Sequence, residues 1–374
     1  MAGSTYGTIL KVMTWGESHG KGIGVTVDGC PAGLALCEAD IQAYLDRRKP
    51  GQSKFTTARN EGDKVEILSG VFEGKTTGTP IALEVRNTDQ RSRDYGNIMD
   101  VYRPGHADYT FDRKYGFRDY RGGGRSSGRE TIGRVAAGAI AAKLLKSLGV
   151  TVMAYTKSIG PVSVAAERFD PEEMNRNRLY MPDAEAAVRA EAYLEELLAC
   201  CDSGGGVVEC RVSGLPAGVG EPVFEKLDAN LAKAILSIGA VKGFEIGDGF
   251  AAADAVGSEN NDAFFADHGE VKKRTNHSGG TLGGISDGSD LVLRAAFKPT
   301  PSIASPQRTV TRAGEETGIE IHGRHDPIIV PRAVVVVEAM TALTVCDLLL
   351  LSMTSRLDRI QTFFGRESQT AKHK

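Results

Sequence analysis

Several patterns are scarce in this chain, and each scarcity closes a possibility. Its six cysteines, at 30, 37, 200, 201, 210 and 346, form no CxxC pair and no Cys/His zinc spacing, so free thiols in a reducing compartment are expected. The seven histidines do no better as a metal set: His322 and His325 are three apart, but Gly323 lies between them and no carboxylate or cysteine completes a ligand spacing. No metal is expected. An excess of one charge is also missing, since the formal charge is −3 and the pI near 6.2, which argues against a nucleic-acid partner. No G-x-G-x-x-G opens a helix after a strand, so a Rossmann site is unsupported. The start, MAGSTYGTILKVMTW, lacks a charged leader followed by an apolar signal core, and a cytoplasmic protein is the expectation. One run, 333–353, is apolar enough to invite a membrane reading. Glu338 and Asp347 within it oppose that, because two acids in hydrocarbon are costly. A buried strand over 333–337 followed by a helix over 339–356 of a soluble core is expected instead.

What is present points to a folded enzyme-sized chain. With 374 residues, 41% of them hydrophobic, one large domain or two ordinary ones are affordable. Self-comparison shows a repeat: VTVDGCPAG at 25–33 matches CRVSGLPAG at 210–218, sharing Val, Gly, Pro, Ala and Gly. Each copy follows an alternating run and precedes a helical pattern, 38–48 and 225–237. A single domain over 1–374 is expected, built from two related halves of roughly 1–200 and 201–374. Further strands are expected over 64–68, 80–85, 207–212 and 291–297, and helices over 130–148 and 184–200. Strands fall in neighbouring groups rather than in βαβα alternation, so the class is α+β. Two polar stretches, 166–182 and 257–280, read as excursions, the second as a mobile cover over a site.

Short motifs need their context. GESHG at 16–20 satisfies G-x-S-x-G, but a glycine loop and strand follow where a nucleophile elbow needs a helix. GVFEGKT at 70–76 is one residue short of a P-loop, and a turn is expected there. The segment 103–139 is dense in arginine, with Lys114 its only lysine, and carries GGGRSSGRE ahead of a helix. A glycine loop at a helix N-terminus offers backbone N–H groups to an anion, and guanidinium forks add bidentate recognition. Ser127 and Glu130 have the S-x-x-E form of a capping box. Even so, arginines at 118, 121, 125, 129 and 134 exceed what a helix start needs, and a site for a compact, multiply charged anion is the expectation. Further basic groups lie at 47–54 and 323–332, where His325 stands between Arg324 and Asp326. Such sites hold an acid, a base and an anion clamp. Anion clamping alone would also suit a non-catalytic binder of phosphorylated metabolites, from which the histidines and Asp326 distinguish an enzyme.

GESHG at 16–20, RPGHADYT at 103–110, RGGGRSSGRETIGRVAAGA at 121–139 and GRHDPIIVPRA at 323–333 together resemble the signature blocks of the chorismate synthases, over essentially the whole chain. Lys298-Pro-Thr-Pro-Ser302 and Ala240-Val-Lys-Gly243 are similar to further family positions. The resemblance implies a carbon–oxygen lyase: anti-1,4-elimination of phosphate from 5-enolpyruvylshikimate 3-phosphate, giving chorismate at the last common step of the shikimate pathway. It implies reduced FMN as cofactor, with NADPH at most as its reductant, a layered β-α sandwich with internal pseudo-duplication, and a homotetramer without nucleic acid or membrane partners. It further implies that His106 protonates reduced flavin, His19 assists phosphate departure and Asp326 relays the substrate proton near flavin N5, with Ser18 and Ser127 assisting. Arg125, Ser126, Ser127, Gly239, Ala240, Gly283, Lys298, Pro299, Thr300, Pro301, Ser302 and Arg324 would hold FMN. Arg48, Lys54, Arg103 and Arg129, with Arg324, would face the substrate or a nicotinamide reductant. Lys49 and Lys54 stand where the family often has arginine, and Gly128 where alanine is frequent. At position 54 a lysine keeps the charge and loses the fork.

Overall fold

The structure, a computed structural model, describes residues 3–51, 55, 61–88, 98–321 and 326–365. Two antiparallel five-stranded sheets carry the chain. The first contains β1 (Thr5–Tyr6), β2 (Lys11–Gly16), β3 (Gly22–Asp28), β4 (Val65–Ile67) and β5 (Ile81–Arg86) in the order β1-β2-β3-β5-β4. The second contains β6 (Thr151–Ile159), β7 (Val162–Ser163), β8 (Gly206–Ser213), β9 (Val241–Ile246) and β10 (Leu291–Phe297) in the order β9-β10-β8-β6-β7. The helices of eight or more residues are α1 (Glu38–Arg48), α2 (Asp108–Tyr115), α3 (Thr131–Ser147), α4 (Ala184–Ala199), α5 (Leu227–Leu236), α6 (Val330–Leu351) and α7 (Leu357–Phe364). Helices α1 and α3 pack on the first sheet, α5 and α6 on the second, and α3 lies along α6 between them. The result is an α+β, layered β-α-α-β arrangement.

The halves repeat in topology and in hydrogen bonding. Strand, strand, helix, strand, hairpin, strand, helix is the order of β2-β3-α1-β4-β5-α3 and again of β6-β8-α5-β9-β10-α6, with the hairpins at residues 71–76 and 281–286. At each Pro-Ala-Gly turn one hydroxyl from the hairpin does the same work. Thr76 Oγ1 donates to Pro31 O at 2.6 Å and accepts from Leu34 N at 3.0 Å. Ser286 Oγ donates to Pro216 O at 2.6 Å and accepts from Val219 N at 2.9 Å. The P-loop look-alike at 70–76 is therefore one of two equivalent hairpin turns. On this correspondence the second unit opens at β6, well before the boundary near 200 expected from the motif match. That match marks only the second strand of each unit, and α4 is an insertion between β6 and β8 that the first half lacks.

The apolar run is one helix, not strand then helix. All of 333–337 belongs to α6, a helix of 22 residues, because burial on every side outweighs the few tenths of a kcal/mol per residue that β-branching costs a helix. Its two acids are spoken for inside the protein. Asp347 accepts the backbone N–H groups of Thr8, Ile9 and Leu10 at 2.7–2.8 Å, and Glu338 takes both terminal nitrogens of Arg47 at 2.8 and 2.9 Å. This is the core helix of the fold.

The polar stretch 257–280 is not a cover over the Lys298 segment. Its hairpin, Phe264–Asp267 with Glu270–Lys273, leads to His277, whose carbonyl accepts from Asp248 N at the Leu291 end of β10. Lys298 lies at the other end, about 20 Å away for a strand of this length. The segment is also pinned: Lys273 Nζ sits buried between Asp262 at 3.1 Å and Asp287 at 2.7 Å.

Candidate functional site

The expected site residues gather on two sides of the loop 118–130. On one side the turn after β2 carries Ser18 and His19, whose Oγ and Nδ1 are 3.1 Å apart. Gly122 is what lets this histidine approach: at φ +87 it has no Cβ, and one built there would lie 2.6 Å from the His19 ring. Asn87, just past β5, fixes the same turn by donating Nδ2 to Glu17 O and Gly20 O, both at 2.9 Å.

On the other side lies the RPGHAD turn. Arg103 Nε and NH2 grip the Asp108 carboxylate at 2.7 Å each, the Arg103 N–H donates to the same group at 3.1 Å, and NH2 also reaches Gly122 O at 3.3 Å. This closes the turn and presents His106, whose Nε2 is 3.1 Å from Ser302 Oγ. Lys298 Nζ donates to Gly105 O at 2.8 Å, and Lys298 N to Ala240 O at 3.0 Å. Segments far apart in sequence, 103–108, 239–240 and 298–302, thus meet. Burial, with Lys242 nearby, holds the Lys298 ammonium below its ordinary pKa.

Behind the loop is a buried charge cluster. Asp63 gives one oxygen to Arg48 NH2 at 2.6 Å and the other to Arg129 NH1 at 3.0 Å. The three side chains are 0–5% exposed. Burial lowers the Arg48 pKa to about 10, only partly offset by Asp63. Burial opposes ionisation of Asp63, yet Arg48 and Arg129 outweigh it and hold its pKa below the usual carboxylate value. Arg332 links this cluster to Asp326: Nε donates to Arg48 O at 3.0 Å and NH1 to Asp326 Oδ2 at 2.5 Å. Two further bonds tie the segments together, Gly204 N to Pro327 O and Ser203 Oγ to Thr300 O at 2.7 Å.

Several expectations change on this geometry. Four of the five loop arginines, 118, 121, 125 and 134, are taken up by the protein itself. Arg118 bonds the carbonyls of Ile98, Met99 and Val101, Arg121 pairs with Asp119, and Arg134 pairs with Glu130. Arg125 is turned inward onto Thr14 and Gly16 of β2, so its guanidinium is a strut. Arg103 likewise spends Nε and NH2 on its own turn. The capping box is half formed: Ser127 Oγ accepts from Arg129 N at 3.3 Å, but Glu130 turns to Thr14 Oγ1 at 3.0 Å and to Arg134 because Arg125 and Arg134 flank it. Ser126 Oγ donates back to Gly123 O. Gly283 is not brought to the others. It sits in a hairpin whose Gly284 O accepts from Leu227 N at the start of α5, about 15 Å, one length of that helix, from Gly239 and Ala240 beyond its end. Lys54, Arg324 and His325 lie outside the described residues.

Sequence reasoning missed Asp63, Asn87, Asp108 and Arg332. Asp108 and Arg332 had local signals, five residues from Arg103 and six from Asp326, each within one motif. Among the described residues no group of three or more His, Cys, Asp or Glu is placed to hold a metal.

The family profile described as chorismate synthase matches residues 10–350. A chorismate synthase of Agathobacter rectalis is 68% identical over 98% of this chain and 100% of its own length. One of Chloroflexus aurantiacus is 55% identical over 96% and 98%. A solved structure titled as the crystal structure of chorismate synthase superposes with a TM-score of 0.75 at 32% identity, covering 96% of this chain and 97% of that one.

Proposed function

The chain belongs to the chorismate synthase family, with that family's lyase activity on a small-molecule substrate and its requirement for reduced flavin, and on this premise we propose how its own residues divide the work. The substrate is 5-enolpyruvylshikimate 3-phosphate. In the anti-1,4-elimination a C–H bond and the C–O bond to phosphate break, a new ring double bond forms, and phosphate and a proton leave. Arg48 and Arg129, aimed from the buried cluster, hold the anionic groups. His19, with Ser18 against its Nδ1, meets the departing phosphate and donates to it. Asp326, held by Arg332, takes the proton.

The flavin is FMN in this reading, and the donor set on the opposite wall suits it. Thr300 Oγ1 is buried without a hydrogen-bond partner among the described residues, Lys298 supplies an ammonium, and Ser302 and His106 supply a hydroxyl and a ring N–H. When bound, reduced FMN supplies the electron chemistry of an elimination with no net redox change. His106 keeps the proton balance of that wall, and Ser302 fixes its ring. The observation that carries the assignment is the His106 to Ser302 contact, which joins the RPGHAD turn to the 298–302 segment.

A homotetramer in the cytoplasm belongs to the same reading, as does a role for NADPH limited to reducing the flavin. The test is anaerobic turnover with FMN and either dithionite or NADPH. Chorismate formed with dithionite supports the reading, and formation with dithionite alone marks an enzyme dependent on an external reductant. No chorismate with either reductant overturns it.

A further inference from the structure

We infer that Asp63 is a positioning residue for the elimination: its carboxylate sets the spacing and aim of the Arg48 and Arg129 guanidiniums that grip the anionic substrate. The inference rests on the substrate role proposed above for those two arginines. One oxygen goes to each guanidinium, at 2.6 and 3.0 Å, so the carboxylate acts as a spacer between two cations that would otherwise repel. Asp63 is itself held in the left-handed region at φ +42, a conformation that persists in a non-glycine residue only where its surroundings over-determine it.

Two observations turn this cluster from a structural ion pair towards a ligand. Arg48 Nε is buried with no hydrogen-bond partner among the described residues, although the terminal nitrogens are used by Asp63 and by Gly128 O at 3.2 Å. A buried donor without an acceptor is costly, and an anionic oxygen arriving with the substrate supplies one. Second, Arg129 hands its position on. Its Nε and NH2 donate to Asn87 Oδ1 at 3.1 and 2.8 Å, and the amide nitrogen of Asn87 holds Glu17 O and Gly20 O, the two ends of the turn bearing Ser18 and His19. Glu61, the other carboxylate near Arg129 at 3.9 Å, is anchored instead on Thr88 N and Oγ1. Asp63 therefore sets the clamp, and Asn87 keeps it in register with His19.

The test is steady-state kinetics under anaerobic, flavin-reducing conditions on the full chain. Asp63→Glu keeps the charge and lengthens the arm, which splays the guanidiniums. Its KM for the phosphorylated substrate should rise about tenfold or more while kcat falls less than about threefold, the signature of lost uniform binding, with FMN affinity unchanged. Asn87→Ala should raise KM similarly and lower kcat as well, because the His19 turn loses its anchors; it also keeps the inference testable if Asp63→Glu does not fold. A folded Asp63→Glu enzyme with wild-type KM, or one losing kcat at constant KM, overturns the positioning role. Absence of turnover by the wild-type chain overturns the proposed function instead.

Discussion

Removing the His106 ring separates chemistry from positioning on the flavin wall. His106→Ala deletes a proton-transfer group, and the loss of such a group lowers turnover by about 10²–10⁴, or about 3–5 kcal/mol of barrier. Ser302, 6% exposed, touches the ring at 3.1 Å and contributes orientation only. Ser302→Ala gives up one hydrogen bond, about 1 kcal/mol, hence about fivefold in kcat. Because the hydroxyl acts through the ring, the two losses are coupled: the double variant should be no more than about twofold slower than His106→Ala alone. The assay is anaerobic chorismate formation for all four proteins, with FMN binding followed by flavin fluorescence. FMN and substrate binding should survive in His106→Ala. Turnover of His106→Ala within about threefold of wild type, too little for a proton-transfer group, would refute the assignment. Full additivity with Ser302→Ala would refute the route through the ring.

Two further outcomes concern the frame that carries the site. Asp347→Ala strips the acceptor from three backbone N–H groups, one of them buried, and should lower stability by about 3 kcal/mol or more, read as a lower urea midpoint at unchanged m; a shift equivalent to less than about 1 kcal/mol contradicts the role given to this acid. Asp63 has a pKa depressed in the folded state despite burial, through Arg48 and Arg129, so its stabilisation is present above the unfolded value of about 4 and is lost as pH falls through the folded one. The stability gap between wild type and Asp63→Asn should therefore be constant near neutrality and shrink steadily below about pH 4, with Trp15, the single tryptophan, as the fluorescence probe. A gap that widens on acidification contradicts that sign.

Much of the frame was legible because it is written in local patterns. The Pro-Ala-Gly match located β3 and β8, and the helical spacings located α1 and α3 to within a residue or so. The run at 333–337 misled because β-branched residues favour strands only where nothing else decides, whereas α6 is enclosed by the second sheet and by α1, α3 and α5. The site was legible as motifs and illegible as contacts. His19, His106 and Asp326 announce themselves by type and setting, but the partners that aim them are remote: Asp63 meets Arg129 across 66 positions. Arginine density misled for the same reason, since the carbonyls and carboxylates that neutralise Arg118 and Arg125 are supplied by the fold.

The most direct measurement is the stoichiometry of a single anaerobic reaction containing this protein, 5-enolpyruvylshikimate 3-phosphate and a trace of dithionite-reduced FMN. Chorismate and inorganic phosphate should appear in equal amounts, far exceeding the flavin, which ends reduced as it began. Product limited to the amount of flavin, with the flavin left oxidised, or no phosphate release at all, would contradict a redox-neutral elimination at this site.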